Sequence, residues 1–132
     1  MIPQDSPYAL TDAGERVDRT ARIREPHVAP LSELVDRMRK ERGPDCHIPY
    51  FDPCDGGIHA RILILMEAPG PKAIGPNTGG SGFVSRNNAD PTASNLCKIC
   101  HYVFGDVRST IGSQIYLTLM ASEQIVSGPT LS

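Results

Sequence analysis

No part of this chain approaches the roughly 18 consecutive apolar residues that a membrane-spanning helix needs. Its longest apolar run is the five residues Ile62 to Met66. The first residues also lack the apolar segment of a signal peptide. The expectation is therefore a soluble, cytoplasmic monomer with no membrane partner. Charge of one sign is scarce too: the formal net charge is −2, which excludes a polycation. Residues 1–60 hold 8 Lys/Arg against 11 Asp/Glu, residues 61–108 hold 5 against 3, and the last 24 hold one acid and no base. A nucleic-acid surface would thus lie in the middle of the chain and make few phosphate contacts. Cysteine numbers only 4, and in a reducing compartment these are expected as thiols or metal ligands rather than disulfides. There is no internal repeat, which leaves out repeat architectures.

What the chain has in quantity is punctuation. Twelve Pro and 12 Gly in 132 residues, with a hydrophobic share of 39%, describe one loop-rich domain with a modest core. Residues 1–10 read as a loose arm. Thr11 to Arg24 has helical composition but only a thin apolar stripe, Val17 and Ala21, which suits a surface helix or disorder. Leu31 to Arg42 is a stronger helix, with Pro30 in its first turn, Leu31, Leu34, Val35 and Met38 on one face, and Gly43-Pro44 as its stop. Ile48 to Gly57 is a turn-rich approach in which Asp55-Gly-Gly57 suits a hairpin-like reversal. Lys72 to Asn88 is a long Gly-rich loop, of the kind usually functional or mobile in a compact domain. Asp90-Pro91 sets an N-cap and first-turn proline for a helix whose apolar face is Ala93, Leu96, Ile99, Cys100 and Val103, ending at Gly105. Gln114 to Met120 suits a strand.

The densest signal is Arg61-Ile-Leu-Ile-Leu-Met-Glu-Ala-Pro-Gly-Pro71. The apolar run predicts a strand buried on both faces. It ends on Glu67, at the carboxyl end of the strand, where open α/β sheets collect their ligands. Pro69, Gly70 and Pro71 then force a stiff, tight loop. A duller role for Glu67 is to cap a following helix.

Taken together and in order, FDPCDGG (51–57), ARILILMEAPGP (60–71) and GSGFVSRNNADPTASNL (80–96) resemble the amino-terminal half of bacterial proteins in the uracil-DNA glycosylase superfamily, over about residues 45–96. The resemblance implies an α/β protein, a three-layer α/β/α fold around a mainly parallel sheet, incomplete at the carboxyl end. It divides the chain into an N-terminal arm and helices (1–44), a partial glycosylase-like domain (45–108) and a divergent tail (109–132). It also implies hydrolysis of the N-glycosidic bond to uracil or a related damaged base flipped from DNA, with no metal and no other cofactor. Such a reaction passes through an oxocarbenium-like sugar, which a carboxylate can stabilise while orienting water. Glu67 occupies the motif that holds the water. Backbone groups of Ala68, Pro69, Gly70 and Pro71 would face the base. Phe83 matches the aromatic on which the base stacks, with glycines permitting close approach. Ser85, Arg86 and Asn88 are expected to bind phosphate or to position that loop. Each has a plainer role: Phe83 as a packing anchor, Arg86 as a solvated charge, Asp90 as a cap and Asn95 on a helix surface.

Two later motifs of the family are missing. One is a strand ending in an asparagine within a Trp-Asn-Val-Val-Pro-Trp-like stretch; the other supplies a histidine and a loop that enters DNA. This chain has no Trp, and its single later histidine, His101, lies in another context. The residues from Cys97 onward have the character of a reading-frame change, an early stop or a degenerate gene, so a catalytically dead remnant or a binding module is the competing expectation. A third is a small metal-binding domain. Cys97-Lys-Ile-Cys100-His101 spells a haem-attachment motif, and Cys46 with Cys54 would complete four thiolates for zinc or an iron–sulfur cluster. Against it stand the seven residues between Cys46 and Cys54 and the helical, apolar setting of Cys100.

Overall fold

The structure, a computed structural model, describes residues 7–44, 47–66, 71–74, 80–104 and 117–120. It is a mixed α/β arrangement: α1 (Ala13–Ala21), α2 (Ala29–Arg42), β1 (Tyr50–Phe51), β2 (Leu63–Met66), β3 (Phe83–Val84), α3 (Pro91–Phe104) and β4 (Leu117–Met120), with short 3₁₀ turns at Ala9–Thr11 and Gly57–His59. Among the described residues the strand pairing is parallel. β1 pairs with β3 in the register Tyr50↔Phe83, and β2 pairs with β4 in the register Leu63↔Leu117 to Met66↔Met120. β3 also lies beside β4 in space, which brings the two ribbons together. Among the described residues, no helix is long and apolar enough to cross a membrane.

α2 forms where the proline and glycine signals place it. A proline occupies its first turn and Gly43, at φ 87°, ends it, a conformation that costs glycine little. Its inner face carries Val35, which joins Val28, Ile48 and Phe51 in a core flanked by Leu31, Met38 and Tyr50. Each such buried side chain contributes about 1.5–3 kcal/mol. Arg39, from the last turn of α2, closes this core from above. Its Nε and Nη2 donate to the Ile48 carbonyl at 2.8 and 2.5 Å, and its guanidinium sits 4.1 Å above the Tyr50 ring.

Several local expectations need correcting. α1 is a helix, one of the two outcomes expected, capped by the Asp12 side chain accepting from the Gly14 N–H at 2.8 Å, but its apolar stripe faces outward. Val17, from its apolar stripe, is 70% exposed, and Arg19 is the residue that points inward. A buried ion pair, not apolar contact, sets the rotation of this helix. Ala9 and Leu10, expected in a loose arm, are buried, and the Leu10 N–H donates to the Asn87 carbonyl at 3.1 Å. The strand expected to be buried on both faces opens to solvent where it begins, with Ile62 exposed and Leu63 58% exposed. Residues 50–51 and 83–84 form strands inside stretches read as turn and loop, because two-residue strands leave no periodicity in sequence. Gly57 is no hairpin tip. It starts a 3₁₀ turn at φ 57°, and a Cβ there would collide with the His27 carbonyl, which accepts from the Ile58 N–H at 2.8 Å.

Candidate functional site

Immediately after β1 the chain enters Asp52-Pro53-Cys54-Asp55, and immediately after β3 it enters Ser85-Arg86-Asn87-Asn88. Parallel pairing of the two strands sends both segments out of the same end, so their polar side chains meet. Asp52, 2% exposed, is the hub. Its Oδ2 accepts from Arg19 Nη1 at 2.5 Å and from the Ser85 hydroxyl at 2.5 Å, while its Oδ1 accepts from the Cys54 N–H at 2.8 Å. Arg19, fully buried, also donates from Nη1 to Asn87 Oδ1 at 2.9 Å and from Nε to Glu15 Oε1 at 2.8 Å. The Ser85 oxygen in turn accepts from the Asn87 N–H at 3.0 Å. A buried charge is tolerable only when paired and hydrogen-bonded to this extent. Burial works against the Arg19 charge, but the carboxylates of Asp52 and Glu15 outweigh it and hold the guanidinium above its ordinary pKa.

A second acid and base lie alongside. Arg86 Nε is 3.6 Å from Asp55 Oδ1, both side chains buried. Burial, followed by the neighbouring Asp52 charge, pushes the Asp55 carboxyl well above the usual range, against the pull of Arg86 and Arg19. The Cys54 thiol is pushed up to about 12 by burial and by Asp52, even though Arg22 donates to its sulfur at 3.3 Å. At neutral pH that thiol is protonated and a poor nucleophile.

The glycine-rich loop is fastened to itself around Phe83. Ser81 Oγ donates to Asn88 Oδ1 at 2.5 Å and accepts from the Phe83 N–H at 3.1 Å, while Asn88 Nδ2 donates to the Phe83 carbonyl at 2.9 Å. Ser85 and Asn88 therefore spend their polar atoms on holding this loop. Arg86, read from sequence as a solvated charge in its plainer role, is buried instead. Phe83 is 2% exposed and borders an open groove between α1 and the β1/β3 pair. Pro71 is an exposed turn residue, whereas Glu67, Ala68, Pro69 and Gly70 lie outside the described residues. Asp90 caps α3, its Oδ1 accepting from the Ala93 N–H at 2.7 Å, and Asn95 is on the helix surface.

Arg19, Asp52 and Asn87 escaped the sequence reading. Asp52 carried a faint signal, an acid wedged between Phe51 and Pro53 in an otherwise apolar approach. Arg19 carried none, since an arginine in a charge-rich helix reads as solvated. Cys97 and Cys100 are both buried on α3, Cys54 is half-buried, and Cys46 lies outside the described residues. Among the described residues, no group of three or more His, Cys, Asp or Glu side chains is placed to hold a metal ion.

No family model, curated protein or solved structure matches this chain.

Proposed function

We propose that this chain is a base-excision protein of the uracil-DNA glycosylase kind, a monomer acting in the cytoplasm on DNA that contains uracil or a related damaged base, with a three-layer α/β/α fold. One observation carries the reading. The FDPCDGG and GSGFVSRNN segments, linked in sequence only by their order, form one physical unit: β1 pairs with β3, and Asp52 accepts from Ser85 at 2.5 Å. Glu67 follows directly on the carboxyl end of parallel strand β2, the position where such sheets bind ligands. In the proposed reaction, a water oxygen bonds to the anomeric carbon as the N-glycosidic bond breaks. The base leaves with the bonding electrons and takes up a proton. Glu67 orients the water and offsets positive charge on the sugar. Ala68, Pro69, Gly70 and Pro71 present backbone to the base, and Phe83, buried, serves as the packing anchor of its loop. Ser85, Arg86 and Asn88 keep that loop in place. None of these steps calls for a metal or another cofactor.

The test is single-turnover release of uracil from a U:G duplex and from a single strand, by the chain and by Glu67→Gln. Release that falls about 100-fold or more in the variant is expected, the scale of a lost electrostatic stabiliser. No release from a folded, monodisperse sample, or equal rates for both proteins, sinks the proposal. A second reading, a binding module without turnover, is favoured by residues 97–132, which carry neither later motif of the family. It predicts a change in fluorescence anisotropy of a labelled uracil-containing duplex at protein concentrations that release no base.

A further inference from the structure

The groove between α1 and the β1/β3 pair has a volume of about 630 Å³, within the roughly 300–1,000 Å³ of small-molecule sites. One wall is the outward stripe of α1, Val17 and Ala21. Facing it are Tyr50 and the backbone of Gly82. Phe83 and Ser81 also line it, as do two arginines, Arg16 and Arg39. Both are fixed by main-chain carbonyls: Arg16 Nη1 donates to those of Leu10 and Thr11 at 2.8 and 3.0 Å, and Arg39 donates twice to that of Ile48. A carbonyl orients a guanidinium without neutralising it. Neither arginine is ion-paired with a carboxylate among the described residues. The Asp36 carboxyl is lowered first by the Tyr50 hydroxyl donating to it at 2.5 Å, then by Arg24 donating at 2.7 Å, and only last by the Arg39 charge.

An apolar cleft with two pre-positioned positive charges calls for an anion with an apolar body. The Arg39–Tyr50 stack in its wall favours a planar body, because guanidinium and phenol planes both stack on flat rings. We propose that this groove binds a deoxynucleoside 5′-monophosphate unit, its base between α1 and Tyr50 and its phosphate at Arg16 and Arg39. The choice of a nucleotide over other planar anions rests on the base-excision reading, with which this groove shares Phe83 in its lining.

Titration calorimetry with thymidine 5′-monophosphate, thymidine and inorganic phosphate tests it. The nucleotide is expected to bind at least about tenfold more tightly than either part. Val17→Asp places a negative charge on an exposed position of the groove wall, so folding is kept (checked by far-UV circular dichroism) while nucleotide affinity falls about tenfold or more. Arg39→Gln should do the same. Undetectable nucleotide binding, equal affinity for thymidine, or an affinity unmoved by Val17→Asp each overturns the assignment. A chain that binds the nucleotide here but releases no uracil keeps this site and loses the excision reading. Uracil release without nucleotide binding does the reverse.

Discussion

At the scale of single residues, Asp52 decides the most. It ties α1 through Arg19, the Ser85 loop through its hydroxyl, and its own turn through the Cys54 N–H. Removing one partner of a buried ion pair strands the other charge away from water, which costs about 3–5 kcal/mol. Against a total stability of about 5–15 kcal/mol, Asp52→Asn is expected to lower the urea midpoint severely. Adding Arg19→Met removes the stranded charge and should recover part of the loss. A single variant that unfolds at the wild-type midpoint would show the pair to be energetically idle. The pairing was not visible along the chain, because Arg19 and Asp52 are 33 residues apart and only Asp52, wedged between Phe51 and Pro53, carries even a faint local sign of burial.

Helices and strands differ in how openly the chain announced them. α2 lies close to where its proline and glycine signals place it, and α3 starts where its proline and cap signals place it, because those signals act within one turn of backbone. Asp90 illustrates this. It accepts from the Ala93 N–H at 2.7 Å, one of the donors a helix start leaves without an internal partner. Asp90→Ala is expected to cost about 1 kcal/mol, read as a lower thermal midpoint, while Asn95→Ala on the surface of the same helix should leave the midpoint nearly unchanged. Equal effects of the two would mean that the cap is not what holds this end. α1 is the opposite case. Its sequence permits a helix, yet which face turns inward depends on a carboxylate supplied by a later segment. The strands β1 and β3, two residues each, exist only because they pair with each other.

For the molecule as a whole, the buried carboxyl of Asp55 sets a pH dependence of definite sign. Asp55 has its pKa raised by burial and by Asp52. A carboxyl whose folded value lies above its unfolded value binds its proton more tightly when folded. Its contribution is therefore fully present below the unfolded pKa, about 3.9, and is lost as pH rises through the folded value. Chemical denaturation of the chain and of Asp55→Asn across pH 4 to 7 should show the wild type losing stability relative to the variant as pH rises. A difference that stays flat or grows in favour of the wild type contradicts this. By itself the sequence determined the mixed helix-and-strand character, the two longer helices with the Gly43 stop of α2 (Gly105, the expected stop of α3, lies outside the described residues), and the strand that leads into Glu67. These follow from periodicity, capping and turn chemistry, which act over a few residues. The tertiary structure alone decided that α1 presents an arginine inward and its apolar stripe to an open groove. It likewise made Asp52 the hub of the Ser85–Asn88 loop, since both outcomes depend on charges distant in sequence being desolvated together.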